Sequence, residues 1–396
     1  MTKKKTSQLA DATHCVHAGE ERHGRKAGLP TEIVQASVFV MPDIAELRRY
    51  AEGKSDAYLY TRYGNPTTTA AEEKIAALEG GESCVVAASG MAAELAAVLA
   101  TCEAGDEIVS MLDLYGGTTK LFDTVLPRFG IRTRLVPFQD LGDIEKYFTP
   151  RTRMLFLETP TNPTLRCADI AALAEVAHRH KACVVVDNTF ATPILQKPLE
   201  LGADISVHSA TKYLGGHNDL TAGAAVGARK WLDTTREMVK YTGGCLDPFA
   251  SYLLIRGLKT LEIRVQRACA NAMAIARALQ KHPQVARVMY PGLPESEGYK
   301  IAKRQMRDFG MMLSFEPKGG GAAAEKLIDR LKLWYLAASL GGVESTVSYP
   351  VLSSHVGLTE KQLAQAGVSA ATVRLSVGIE HPGDLIADLE QALAGL

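Results

Sequence analysis

The chain has 396 residues, 46% of them hydrophobic, with 44 basic and 44 acidic side chains. That is enough apolar chain for a large core split between two domains, and the cancelled charge builds in no general attraction to nucleic acid or an anionic membrane. Seven cysteines, at 15, 84, 102, 167, 183, 245 and 269, form no C-x-x-C pair, as expected of reduced thiols in a cytoplasmic protein.

The start, MTKKKTSQLADATH, has a basic cluster with no apolar run behind it, so it reads as a frayed tail rather than a signal peptide or anchor. The first 55 or so residues show no regular hydrophobic alternation and carry scattered Gly and Pro. They are expected to form an extended arm, residues 1–58, able to embrace a neighbouring subunit. From there, short β-branched or apolar runs recur at the spacing of βα units: CVVAA at 84, EIVSM at 107, RTRLVPF at 132, RMLFLE at 153, ACVVVD at 182, DISV at 204 and AGAAVG at 222. Helix-like stretches alternate with them: GMAAELAAVLATC at 90, DIAALAEVAHRHK at 169 and PILQKPLELG at 193. Strands alternating with helices predict a mainly parallel sheet covered on both faces, over 59–256. MAAELAAVLATC is too short and too interrupted to span a bilayer. His178 and His180 could suggest a metal, but at that spacing on a helix they point to different faces, so a solvated helix end is expected and no metal is assigned.

RGLKTLEIRVQRACANAMAIARALQKHP, from Arg256, keeps a helical period through Leu258, Leu261, Val265, Ala268, Ala272, Ile275 and Leu279. It predicts a long helix bridging into a second, smaller α/β domain over 257–396. There VARVMY, MMLSFE and TVRLSVG read as strands, and EKLIDRL and GDLIADLEQAL as helices.

In open parallel sheets ligands bind beyond the carboxyl ends of the strands, so polar residues that end apolar runs are the ones to inspect. VVVDNTF ends at Asp187, LFLETPTNP at Glu158 with Asn162 just after, and DISVHSATK at Ser209, Thr211 and Lys212. Each alone has a plain structural reading: a strand-end Asp is commonly a cap, and a loop lysine a solvated charge. Together they suggest more. A lysine that forms a Schiff base needs a seat where it can lose its proton and small neighbours that leave room for a planar partner. Flanking hydroxyls can donate to a phosphate, and a buried Asp can keep a pyridine nitrogen protonated. ASGMAA at 88 offers backbone N–H groups to an anion at a helix N-terminus, or is simply a strand-to-helix turn.

YTRYGNPT, ASGMAA, DLYGGT, ETPTNPT, VVVDNTF, HSATKYLGGH, RGLKTL, SLGGVES and RLSVGIE occur in this order from about residue 55 to the C-terminus. In that order they closely resemble the Cys/Met-metabolism (trans-sulfuration) family of pyridoxal 5′-phosphate enzymes. The resemblance implies the fold-type I architecture: a large α/β domain with a mainly parallel seven-stranded sheet, a smaller C-terminal α/β domain and an N-terminal arm. It implies that Lys212 carries the cofactor as a Schiff base and then moves protons, and that Asp187 pairs with the pyridinium nitrogen. Ser209 and Thr211, with the backbone of Gly90 and Met91, would hold the phosphate. Tyr60 and Arg62 resemble the pair that reaches the phosphate of the adjacent subunit's cofactor, and Arg62's fork suits that dianion. Tyr115 resembles the tyrosine that stacks on the ring and hands a proton to the leaving group. Asn162, Ser339 and Arg374 match residues around the phenolic oxygen and the substrate's α-carboxylate, with Arg374 its bidentate partner. Glu158 would support the floor of the site. The family further implies a small amino acid substrate, no nucleic acid or membrane partner, and a homotetramer built from dimers that share their active sites.

Within the family, members that grip cystathionine often carry an acid before the first tyrosine, an arginine shortly after the stacking tyrosine's glycines and a glutamate before SLGG. Here those positions hold Leu59, Lys120 and Ala338. Methionine γ-lyases typically place a cysteine where this chain has Gly116, yet HNDLTAGAAVG, Lys240, CANA at 269 and YPGL at 290 look more like methionine γ-lyase than like the synthases. The expected activity is a γ-eliminating carbon–sulfur lyase. Cystathionine γ-synthase or O-acylhomoserine sulfhydrylase is the alternative, ahead of cystathionine β-lyase or an aminotransferase.

Overall fold

The computed structural model of the chain describes residues 9–20, 28–354, 356, 363 and 366–396. The basic tail expected over the first residues lies outside them. The larger sheet contains β1 (Ser83–Ala87), β2 (Glu107–Met111), β3 (Arg132–Val136), β4 (Thr152–Glu158), β5 (Cys183–Asp187), β6 (Ile205–His208) and β7 (Gly223–Gly227). Its spatial order is β1-β7-β6-β5-β4-β2-β3. The five strands from β2 to β6 are parallel to their neighbours, and β7 runs antiparallel to both β6 and β1. Two reversals restore direction, so β1 ends on the same side as β6 and the carboxyl ends of six strands face one edge. The buried runs Val184–Val186 and Met154–Leu157 supply the middle of the sheet's core, as strands covered on both faces require.

The helices, in chain order, are α1 (Asp11–His17), α2 (Ile44–Ala51), α3 (Pro66–Glu79), α4 (Gly90–Thr101), α5 (Gly116–Lys120), α6 (Ile170–Arg179), α7 (Thr192–Leu195), α8 (Arg229–Thr242), α9 (Pro248–Leu258), α10 (Leu261–Lys281), α11 (Tyr299–Gln305) and α12 (Gly320–Arg330), followed by a terminal helix, Pro382–Leu393. Their boundaries follow local chemistry. Asn65 accepts from the Thr67 N–H at 2.9 Å, Pro66 opens α3, and Gly80 at φ 77° closes it. Asp169 caps α6 and Asp247 caps α9 in the same way.

A second sheet lies in the C-terminal part: β8 (Val285–Met289), β9 (Met312–Pro317), β10 (Tyr335–Leu336), β11 (Thr346–Ser348) and β12 (Val373–Ser376), in order β10-β11-β12-β9-β8. Helix α10 packs on β8 and β9 and on the terminal helix.

Three expectations are corrected. The helical period from Arg256 is not one helix: Thr260 leaves helical geometry at φ −114°, ψ 9°, dividing α9 from α10. The stretch at 193 is likewise split, because Gln196 is extended and Pro198 starts a separate 3₁₀ turn. The N-terminal arm is not wholly extended. It contains α1, which packs on α3 and α10 with His14 and Cys15 buried, and α2, which buries no residue. His178 and His180 meet different carboxylates, Asp204 at 3.0 Å and Glu145 at 3.1 Å, at the end of α6.

Candidate active site

The carboxyl edge of the larger sheet gathers most of the residues singled out in the sequence. Glu158 and Asp187 end neighbouring strands and are register partners, so their carboxyls lie side by side. Asp187 accepts from the Thr189 N–H at 2.8 Å, and burial raises its pKa while Thr189 and His208 oppose that shift. Just past β6, the Lys212 ammonium donates to the Ser339 hydroxyl at 2.8 Å, bringing the two parts of the chain together. Burial, with the nearby Arg374 charge second, lowers the Lys212 pKa. A base whose pKa is lowered is easier to have as the free, nucleophilic amine.

The glycine pair after Ser339 explains the close approach. A Cβ on Gly341, which has φ +84°, would meet the Lys212 Cα at 3.1 Å. On the other side, a Cβ on Gly90 would meet the Ser209 Cα at 2.9 Å, so the N-terminus of α4 and the Ser209 turn form two walls of one cradle. Ser89 caps α4 by accepting from the Ala92 N–H at 3.2 Å, leaving the N–H groups of the first turn near that cradle. The Thr211 hydroxyl is exchanged with Ala222, accepting from its N–H at 2.9 Å and donating to its carbonyl at 3.2 Å.

Arg374 is buried and donates to the Asn162 side-chain oxygen at 2.7 Å, whereas its Nε has no partner among the described residues. Burial lowers its pKa to about 10. A buried guanidinium with an orphaned donor is a waiting site for an anion, and a carboxylate matches its fork. The half-exposed Tyr115 lies beside Gly117 and Met91, since a Cβ on Gly117 would run into the Tyr115 ring and meet the Met91 sulfur at 3.1 Å. The Tyr115 N–H donates to Glu158 at 2.6 Å.

Tyr60 and Arg62 make other contacts. Arg62 donates to the Lys240 carbonyl at 2.9 Å and lies over the rings of Tyr60 and Tyr63. Two parts of the site escaped the sequence reading. Glu94, one turn into α4, accepts from the Thr118 hydroxyl at 2.8 Å. The buried His208 ring meets Glu79 at 2.5 Å, with Ser206 and Asn188 on the same oxygen. Glu94 reads as the polar residue of an amphipathic helix, and Glu79 as the end of one, so only tertiary contact reveals them. A separate cleft of about 400 Å³ beside β8, lined by Arg166, Arg287 and Glu297 among others, includes none of these residues.

The chain resembles known proteins over nearly all of its length. It is 42% identical to L-methionine gamma-lyase of Treponema denticola, covering 99% of both chains, and 46% identical to L-methionine gamma-lyase of Fusobacterium nucleatum, covering 96% of this chain and 97% of the other. It is also 42% identical to the chloroplastic cystathionine gamma-synthase 1 of Arabidopsis thaliana, over 100% of this chain and 71% of that one. The solved structure of metB from Corynebacterium glutamicum superposes with a TM-score of 0.92 at 39% identity, covering 99% of this chain and 100% of that one. The family model for Cys/Met metabolism PLP-dependent enzymes matches residues 12–394, and the chain belongs to that family.

Proposed function

We propose that this protein is a pyridoxal-phosphate-dependent carbon–sulfur lyase that eliminates the γ-substituent of methionine, homocysteine or cystathionine-type amino acids. With one water, the products are 2-oxobutanoate, ammonia and a thiol. The observation that carries the reading is the pairing of Lys212, an amine with a lowered pKa held by Ser339, with Arg374 and its unpartnered buried Nε.

The residues present fit the cofactor: a lysine able to lose its proton, a buried acid at Asp187, and a cradle between Gly90 and Ser209 that a Cβ would fill. When bound, pyridoxal phosphate supplies an electron sink for the charge left when a substrate C–H bond breaks. The chain's own residues do the rest. Asp187 supplies the negative partner of the pyridinium. The N–H groups of Gly90 and Met91 and the Ser209 hydroxyl hold the phosphate, joined by the Thr211 hydroxyl when its proton turns from the Ala222 carbonyl to the anion. Arg374, oriented by Asn162, fixes the substrate carboxylate, and Ser339 positions the Lys212 nitrogen to take and return a proton at Cα and Cβ. Tyr115 stacks on the ring and gives its hydroxyl proton to the departing sulfur.

Specificity follows from what the mouth lacks. A distal ammonium loses hydration on entry and needs a compensating acid, and Leu59 and Ala338 offer none. Substrates with a short apolar or thiol end leave nothing unsatisfied there. The similarity to a cystathionine gamma-synthase supports a second reading, γ-replacement, in which a thiol adds at Cγ after the first group leaves. Assaying 2-oxobutanoate from methionine, homocysteine, cystathionine and O-acylhomoserines separates the two. Release from methionine or homocysteine at least equal to that from cystathionine supports the lyase. Activity confined to O-acylhomoserine plus a thiol gives the synthase.

The same reading includes an arm over 1–58, a cofactor-binding unit over 59–256 and a C-terminal unit over 257–396. It also includes a homotetramer of dimers and a cytoplasmic location. No helix among the described residues is long and apolar enough to cross a membrane.

A further inference from the structure

The turn that carries Tyr115 is poorly stabilised by its own sequence. Helix α5 is five residues long, GGTTK, opens on two glycines and has no side-chain N-cap. Its C-terminal end runs on into a π-helical turn, Leu121–Val125, and a 3₁₀ turn, Leu126–Phe129, so the weak part is the first turn, where the glycines lose the most backbone freedom on ordering and no side chain caps them. Two buried carboxyls supply what it lacks. Glu158, from the end of β4, accepts from the Tyr115 N–H at 2.6 Å, and Glu94, from α4, accepts from the Thr118 hydroxyl at 2.8 Å. The first turn is thus held at Tyr115 and again at Thr118. The Glu94 side of this clamp is an unusual place for an acid, since the residue is only 5% exposed and is near enough to Asp187 for like charges to repel.

We propose that Glu94 is a positioning residue: as a neutral carboxylic acid it holds the Thr118 end of the Tyr115 turn, and so sets where the Tyr115 ring and hydroxyl stand over the cofactor. The inference rests on the proposed role of Tyr115. Glu94 must be neutral because the site already contains Asp187, whose charge is needed opposite the pyridinium, and Glu158, whose carboxyl is itself pushed up by burial and by Asp187 and Glu94. Lys120 on α5 and Arg229 and Lys230 on α8 are not among the groups that shift Glu94, and other cations nearby have partners of their own. On α8, Arg236 pairs with Glu72 and Lys240 with Glu237; beyond β6, Lys212 is bonded to Ser339; and His208 on β6 meets Glu79. Burial, with Asp187 second, accordingly raises the Glu94 pKa to about 8, opposed by the Thr118 bond. Above that pH an uncompensated charge stands in a buried site, which is relieved only by moving toward water and taking the Thr118 contact with it.

The test compares cofactor-loaded wild type with Glu94→Gln, which keeps an acceptor for Thr118 and cannot ionise, and with Glu94→Ala, which removes both. The kcat and KM of each are measured from pH 6 to 9.5. At pH 7, Glu94→Gln should match wild type, and Glu94→Ala should lose roughly tenfold in kcat with little change in KM, the mark of a misplaced proton donor. At pH 9 wild type should fall roughly tenfold below Glu94→Gln, because a group half ionised near pH 8 is then about nine-tenths charged. Melting of the cofactor-free proteins gives an independent readout. A carboxyl whose folded pKa is raised costs nothing below its unfolded pKa, and its cost grows as pH climbs to the folded value. The melting temperature of wild type should therefore drop relative to Glu94→Gln between about pH 4.5 and 8 and stay offset above. If wild type and Glu94→Gln superimpose in both kcat and melting across the range, or Glu94→Ala keeps full kcat, the proposal is wrong. If no substrate turns over, the functional reading has failed, and the melting comparison alone decides whether Glu94 is the neutral acid proposed.

Discussion

Lys212 and Arg374 show how a side chain's surroundings set its chemistry. The Lys212 side chain is bonded to a neutral hydroxyl and has a like charge nearby, so its environment favours the neutral amine. On the proposed assignment, borohydride reduction of the loaded enzyme should fix the cofactor on the peptide containing Lys212. A label on another lysine, found by mass spectrometry, or cofactor fixed in Lys212→Ala, sinks the assignment. Arg374 is bonded to Asn162 through one nitrogen and has a free Nε, which suits a two-point grip on a carboxylate. Lysine cannot make that grip. Arg374→Lys should therefore raise KM for any amino acid substrate by about tenfold or more, the loss of a charge-assisted bond worth roughly 1.5–3 kcal/mol. An unchanged KM would mean that the carboxylate binds elsewhere. Lys212 and Asp187 were legible in the sequence because each follows a β-branched run that predicts a strand end. Glu94 was not, since in GMAAELAAVLAT it reads as an exposed helix residue and nothing local says that Thr118 lies against it.

The elements owe their placement to a few positions where a backbone must come close. Gly90 begins α4 against the Ser209 backbone, and Gly223 on β7 lies so near Ser89 that a Cβ there would overlap its carbonyl. The turn from β1 into α4 is thereby pressed onto the loop that carries Lys212. Gly90→Ala should push these walls apart. Cofactor affinity, measured by equilibrium dialysis, should weaken by about tenfold or more, since misplacing phosphate donors costs the strong bonds first. Affinity equal to wild type would separate the phosphate site from this cradle. The sheet was legible because its strands are short apolar runs at regular spacing. The break between α9 and α10 was not. It is held by Arg264, whose guanidinium donates to the carbonyls of Tyr213 and Gly257 and whose Nε donates to the Thr260 hydroxyl. A guanidinium that caps one helix from the next while holding the residue after Lys212 leaves no periodic trace. The apolar period runs unbroken through Leu258, Leu261 and Val265, and so it reads as one helix.

At the scale of the molecule, the surface of the arm is the feature a single chain explains least. Leu29, Val40 and Ile44 are 72%, 95% and 69% exposed within one arm, an apolar surface that a partner would cover. Arg62 stands where that arm joins the larger sheet's unit, held by the Lys240 carbonyl and by two tyrosine rings, with no carboxylate among the described residues bonded to it. If Arg62 serves the neighbour's phosphate, each site takes Lys212 from one chain and Arg62 from the other. Arg62→Ala and Lys212→Ala chains should each be inactive alone. In a mixed dimer, one site combines both substitutions and the other has an intact Lys212 facing an intact Arg62. Random exchange of equal amounts makes half the dimers mixed with one working site each, so about a quarter of wild-type activity should return. The measurement is activity after subunit exchange, with exchange itself followed by differently tagged chains. Recovery near a quarter supports shared sites. No recovery among chains shown to have exchanged would confine each active site to one chain and leave the arm's apolar surface to some other contact.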